Sequence, residues 1–166
     1  MSGHCPSRQE AVILFMAGDT RFAIAAAAVE EICSLDGLAP LAQRGRANGV
    51  AHALERRGHR YLVVDANFHF EMLSSKPERV LVLCNSAVAI LVGSVDRMQM
   101  LTAIHALPQG FRGEERQWYR GLACLPDGVV PVINPASFIN KANRALLAMQ
   151  LPAPVSNLPA PGGACA

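Results

Sequence analysis

The stretch from Tyr119 to Pro135 constrains the fold more than any other. It runs Tyr-Arg-Gly-Leu-Ala-Cys-Leu, then Pro126-Asp127-Gly128, then Val-Val-Pro-Val-Ile, then Asn134-Pro135. Two apolar runs flank a turn whose Asp and Gly tolerate the positive φ of a tight hairpin. Asn134 is suited to cap a helix. Pro135 is suited to open one, because the first helical position leaves its N–H unpaired anyway. Similar hairpins recur upstream. The pattern predicts a mainly β protein of small curled sheets, closed by a helix near Pro135 to Met149.

Upstream, Ala11 to Met16 reads as a buried strand, turned at Ala17 to Thr20 and paired with Arg21 to Ala25. Ala26 to Ile32 is rich in helix formers and puts Ala25, Val29 and Ile32 on one face, which predicts a short helix. Leu35 to Arg46 reads as loop, punctuated by Asp36-Gly37 and Pro40. A second hairpin joins Ala47–Leu54 to His59–Asp65 through Glu55-Arg56-Arg57-Gly58, and a helical turn follows at Ala66 to Met72. A third joins Arg79–Cys84 to Ala87–Met98 through Asn85-Ser86, and Met100 to Ala106 extends the sheet. Leu107 to Trp118 is a polar loop. Residues 1–10 read as a flexible arm. Residues 151–166, rich in Pro, Gly and Ala, read as a disordered or extended tail. One folded unit over 11–150 remains. Short strands with regular turn signals imply barrels or a sandwich.

Composition narrows the function classes. Of 166 residues, 51% are hydrophobic and 17% charged, with a net charge of +2. That is a sizeable core under a weakly charged surface. The arginines are scattered, and one Trp and two Tyr leave little for stacking on bases, so nucleic acid is disfavoured. Met1 to Pro6 is polar and unlike a signal peptide, and the longest apolar run, Phe22 to Val29, is too short to span a bilayer. A cytoplasmic protein is expected. Cys5, Cys33, Cys84, Cys124 and Cys165 are odd in number and widely spaced, which fits reduced thiols.

No pair among His4, His52, His59, His69 and His105 forms H-x-x-x-H, and there is no C-x-x-C, so no metal and no cofactor are expected. His52 and His59 read as a surface pair across a hairpin rather than metal ligands. Gly110-Phe111-Arg112-Gly113 lacks the lysine and the context of a phosphate loop. No serine sits in a G-x-S-x-G elbow. Asp65 and Asp96 follow apolar strands, where a carboxylate caps a turn or pairs locally. Cys33, Cys84 and Cys124 read as small hydrophobes. Met98 and Met100 share a strand face, as core or as an adaptable binding surface. A small β-barrel enzyme stays an alternative; carboxylates or histidines converging in a pocket would mark it.

Four segments, in order, give the chain a resemblance to the CheW-like domain, the coupling-protein family of bacterial chemotaxis. Leu14 to Ile24 followed by Val29-Glu30-Glu31-Ile32 resembles the family's strand, turn, strand and V-x-E-I helix. Gly49-Val50-Ala51 with Arg57-Gly58 and Val63-Val64-Asp65 resembles its G-V-I-N-L-R-G…P-V-V-D-L segment. Val95-Asp96-Arg97-Met98 resembles its V-D-R-V strand. Gly121-Leu122-Ala123 through Asn134-Pro135 resembles its closing G-V-A…D-P segment. The resemblance covers about residues 11–140. Three extra residues precede Arg57-Gly58, His52 stands for the usual Asn, Leu62 for a proline, and Asn134 for Asp.

The resemblance implies two packed SH3-like five-stranded β-barrel subdomains with short helices and a C-terminal helix. It implies no enzyme activity. The implied role is an adaptor between a chemoreceptor's cytoplasmic tip and the regulatory domain of a chemotaxis-type histidine kinase. A surface-motility or other receptor–kinase pathway is the alternative setting. Carried over by motif, Glu31, Arg57 and Gly58 are the expected receptor-binding residues, with Glu31 and Arg57 paired. The expected kinase-binding residues are Val80, Val82, Val88, Ile90 and Val92, on strand edges.

Overall fold

A computed structural model describes residues 9–41, 49–73 and 75–150. The expected arm up to residue 8, the tail from 151, His4, Cys5 and Cys165 lie outside the described residues. The strands are β1 (Glu10–Ala17), β2 (Thr20–Ala25), β3 (Val29–Cys33), β4 (Leu38–Pro40), β5 (Val50–Arg56), β6 (His59–Asp65), β7 (Arg79–Leu83), β8 (Val88–Val92), β9 (Val95–Leu101), β10 (Tyr119–Leu125) and β11 (Gly128–Ile133). The helices are α1 (Ala66–His69) and α2 (Pro135–Gln150).

The strands form two sheets. The first has the order β10-β11-β2-β1-β9, and the second β3-β7-β8-β6-β5-β4. Each joins two hairpins through one parallel pair. In the first sheet β11 lies parallel to β2, with Val132 opposite Ala23. In the second β8 lies parallel to β6, with Val88 opposite Leu62 and Ile90 opposite Val64. The second sheet has six strands rather than five, because Leu38–Pro40, within the expected loop, pairs with β5.

Two expected elements differ. Ala26–Ala28 is a single 3₁₀ turn, and Val29–Cys33 is a strand rather than the rest of a helix. Ile32 and Cys33 pair with Leu81 and Val80 of β7; sheet pairing overrides the weak helix propensity of three alanines. The long strand expected from Ala87 to Met98 breaks at Gly93-Ser94. There Gly93 N–H donates to the Met16 carbonyl at 2.9 Å, and Met16 N–H to the Ser94 carbonyl at 2.8 Å. A Cβ at Gly93 would lie 3.1 Å from that Met16 oxygen. The chain leaves the second sheet and enters the first at this point.

The buried side chains explain why the strands read as continuous apolar runs. Val12 and Leu14 point into a cluster inside the first sheet with Ala23, Leu101, Ala123, Val130 and Val132. Ile13, Phe15 and Ala17 point the other way, into a large shared core. The second sheet divides alike. Val80, Val82, Ala89 and Leu91 join Cys33, Leu54 and Val63 in its inner cluster. Leu81, Leu83, Val88, Ile90 and Val92 enter the shared core, which α2 completes with Phe138, Ala142 and Ala145. Successive strand residues face opposite ways, so a strand buried on both faces shows no alternation.

Candidate functional site

β3 is an edge strand, and the β5–β6 hairpin brings its tip beside it. Arg57 (φ +50°) and Gly58 (φ +78°) form a two-residue turn, with Arg56 opposite His59. Positive φ at both positions matches the right-handed twist of the flanking strands. Gly58 has open space around it; its backbone angle, not crowding, favours glycine. The turn holds Arg57 out in solvent, its side chain 78% exposed.

Glu31 meets two guanidinium groups here. Arg56 donates to its Oε1 from Nε at 3.0 Å and from Nη2 at 2.6 Å. Arg57 Nη2 lies 3.8 Å from the same oxygen. The Arg56 hydrogen bond holds the Glu31 carboxyl below the usual carboxylate range, as charge-assisted bonds do. The expected Glu31–Arg57 pair is present at 3.8 Å, but Arg56 is the closer partner, and most of the Arg57 side chain is exposed. Ile32 lies beside Glu31 on the strand edge, 42% exposed. Reading Val29–Cys33 as a strand would have flagged Ile32, since alternation sets it opposite the buried Cys33.

The structure corrects the five expected kinase contacts. Val80, Val82, Val88, Ile90 and Val92 are all buried, in the inner cluster of the second sheet or in the shared core. β7 lies between β3 and β8, and β8 between β7 and β6, so neither offers a free edge. Their side chains hold the sheets together and do not face a partner. The reading of Met98 and Met100 as core is also overturned. They lie on β9, an edge strand of the first sheet, and are 65% and 50% exposed.

The remaining sequence candidates find local roles. Asp65 caps α1, accepting from Asn67 N–H at 2.8 Å. Asp96 pairs with Arg21 at 3.6 Å and Arg97 at 3.5 Å, and Asp127 at the β10–β11 turn is bound by Arg21 and Arg97. His52 lies opposite Val63 and His59 opposite Arg56, so the hairpin does not set the two histidines against each other. Cys33 is buried and hydrogen-bonds the Val80 carbonyl at 3.7 Å, whereas Cys124 is exposed. Among the described residues no group of three or more His, Cys, Asp and Glu side chains could hold a metal ion. No helix among them is long and apolar enough to cross a membrane.

The fold has a counterpart among solved structures. The chain resembles in structure the scaffolding protein TtCheW from Thermoanaerobacter tengcongensis, with a TM-score of 0.67 and 13% sequence identity, over 76% of this chain and 90% of that one. That likeness speaks to the fold. No curated protein matches the sequence. The family model described as the CheW-like domain matches residues 11–143, which takes in both sheets, the Glu31–Arg56–Arg57 cluster and the start of α2. This chain belongs to the CheW-like domain family.

Proposed function

We propose that this chain is a non-enzymatic adaptor of a chemotaxis-type signalling system, working in the cytoplasm and coupling a chemoreceptor tip to the regulatory domain of a histidine kinase. The observation that carries this reading is the Glu31–Arg56–Arg57 cluster on an open strand edge, set within a CheW-like domain. Glu31 orients Arg56, while Arg57 projects into water with exposed Arg60 on the same hairpin and exposed Ile32 on the neighbouring strand. Arginines held in this way suit the carboxylates of a receptor helix.

The kinase side is assigned to β9 in place of the buried valines. An edge strand offers unpaired backbone groups for strand addition. Met98 and Met100 add flexible apolar surface that adapts to a partner. The occupant is the kinase regulatory domain. Contact there is mainly apolar, so affinity depends weakly on salt, while the arginine cluster gives receptor binding a steeper salt dependence.

The test is binding of the full chain to a receptor signalling tip and to a kinase regulatory domain from the same cell. Arg57→Ala is expected to weaken receptor binding and spare kinase binding. Met98→Glu with Met100→Glu is expected to do the reverse. Absence of binding to either partner at tens of micromolar would refute the adaptor reading. Loss of both by either variant would refute the division of surfaces.

A further inference from the structure

A cavity of about 150 Å³ lies between α2 and the 3₁₀ turn Glu114–Trp118. His69, Gln117, Trp118, Asn140, Lys141 and Arg144 line it. His69 is 3% exposed, and its ring stacks on Phe138 at a centroid distance of 4.1 Å. Trp118 is half-buried and packs against the shared core. Its ring lies 5.1 Å from that of His69 and 6.0 Å from that of Phe70. On α2 the lining residues follow one stripe, because residues three and four apart share a helix face. Beyond Asn140, Lys141 and Arg144 the stripe continues to Leu147, 63% exposed, and to exposed Ala148. It therefore leads from the cavity to the last turn of α2, and it is apolar at that end.

Charge and hydrogen bonding describe what fits this surface. The cations Lys141 and Arg144 meet two carboxylates: Glu114 lines the cavity, and Glu71 acts on Lys141. The balance is close to neutral and selects neither an anion nor a cation. Among the described residues no hydrogen bond uses the side chains of Gln117, Trp118, Asn140, Lys141 or Arg144. All five carry N–H donors, and Trp118, Lys141 and Arg144 carry no acceptor. An uncharged occupant rich in acceptors suits such a wall. Proline-rich backbone has that character. Proline lacks the N–H, and the carbonyls of a polyproline II segment have no internal partners. Such segments dock on aromatic-lined surfaces.

Residues 151–166 follow α2 directly. They contain no Asp, Glu, Lys, Arg or His, and they repeat Leu-Pro-Ala-Pro at 151–154 and 158–161. Reach separates the two copies. From Gln150 back to Asn140 the helix rises about 15 Å. Pro154 extends at most about 12 Å from Gln150 in polyproline II form, and Leu158 to Pro161 about 25 to 34 Å. The first copy falls short of the cavity even before the chain reverses. The second reaches it with residues to spare for the turn. We propose that the cavity is the docking site of this chain's own Leu158–Pro161 segment, running back along the stripe of α2. A proline ring of the segment packs on Trp118, its carbonyls accept from Arg144 and Lys141, and the linking residues cover Leu147. No residue of this site belongs to the receptor or kinase surfaces, so the proposal stands apart from the adaptor reading.

Trp118 is the only tryptophan of the sequence, so its indole N–H gives a single resonance to follow. The full chain is labelled with ¹⁵N and compared with the variant Leu158→Asp, Pro159→Gly, Pro161→Gly. These changes lie outside both sheets and are expected to leave the sheet amides in place, to shift the indole resonance and to move its fluorescence to the red. A second measurement attaches a nitroxide at Cys165 in a full chain carrying Cys5→Ser, Cys84→Ser and Cys124→Ser; Cys33 is buried. The nitroxide is expected to broaden the Trp118 indole resonance, and the triple tail variant to abolish that broadening. A ¹⁵N chain without nitroxide, mixed with an unlabelled chain that carries it, is expected to keep a sharp resonance. An indole resonance unmoved by the tail variant, or a nitroxide that leaves it sharp, would overturn the proposal. Broadening in the mixed sample would overturn it too, by showing that the tail of a second copy fills the cavity.

Discussion

The two sheets are built on one plan and assembled in opposite ways. Each sets two hairpins side by side through a parallel pair of their second strands. The second sheet, β3 to β8, comes from one continuous stretch. The first takes its strands from both ends of the described chain, and Arg120 reaches Glu10 across a sequence separation of 110. The ion pairs follow this difference. In the first sheet, Arg21 and Arg97 with Asp96 and Asp127 join β2 and β9 to the β10–β11 turn, distant segments that nothing local holds together. In the second, Glu31 joins only a neighbouring hairpin tip, through Arg56 and more loosely through the largely exposed Arg57. A sheet assembled from nearby segments can present its polar groups to a partner. The first uses its charges to close long-range contacts, and it is the slower kind of sheet to assemble, since distant pairing must overcome loop-closure entropy first.

The shared core is where the comparison would break most visibly. Phe22, on the first sheet, stacks on Phe70, beyond α1, at a centroid distance of 4.3 Å, and both belong to the shared core. Phe22→Ala is expected to cost about 3–5 kcal/mol in denaturant unfolding and to loosen amides of both sheets in hydrogen exchange. Loosening of the first sheet alone would show that the sheets are not coupled through this core.

Acidification probes the same junction. The unfolded chain binds a proton at His69 near the ordinary pKa of 6.5, while the buried ring resists protonation until about pH 3. Below about pH 6.5 the unfolded state therefore holds more protons, and stability falls by up to roughly 1.4 kcal/mol per pH unit. Between pH 6.5 and 5, above the range of most carboxylates, His69→Phe is expected to flatten this decline. An unchanged slope would place the proton uptake elsewhere.

A smaller effect is expected at Gly121, on β10 of the first sheet. There β10 runs so close to His105 that a Cβ would collide with the His105 carbonyl and the Ile104 side chain, where His105 and Leu122 exchange backbone hydrogen bonds at 2.8 Å. Gly121→Ala is expected to cost about 1–3 kcal/mol and to expose the His105 and Leu122 amides to exchange. If those amides stay protected, the bridge tolerates displacement. The smallest effect is expected at the arginine cluster. Arg56→Ala and Arg57→Ala should leave the melting curve nearly unchanged, because exposed ion pairs contribute little. A clear drop in melting temperature for Arg57→Ala would make the tip a structural element rather than a presenting one.

Turn chemistry and hydrophobic runs made much of the fold legible. Arg57-Gly58, Asn85 (φ +52°) and the Pro126-Asp127 turn sit where the sequence places them. Asn134 accepts from Ala136 N–H at 3.2 Å, and the helix opens at Pro135. These depend on φ preferences and hydrogen bonds between near neighbours, which the local sequence fixes. The Glu31 segment was legible as a motif, but its main partner was not. Arg56 and Arg57 are adjacent, and the rotation of the hairpin decides which one lies along Glu31.

What tertiary structure decided is which way each residue faces and where strands change sheets. Val80 and Val88 carry no alternation to mark them as buried, since both faces of their strands are covered. Met98 and Met100 carry none to mark them as exposed, since an edge strand is defined by the neighbour it lacks. The break at Gly93-Ser94 depends on Met16, far away in the chain. The His69 cavity needs α1, the 3₁₀ turn before β10 and α2 brought together. Sequence by itself set the hairpin turns, the closing helix and most strands, β3 and β4 excepted, because these are settled by short-range sterics. Exposure and adjacency were settled by packing two double-faced sheets against each other, a long-range outcome that no single segment encodes.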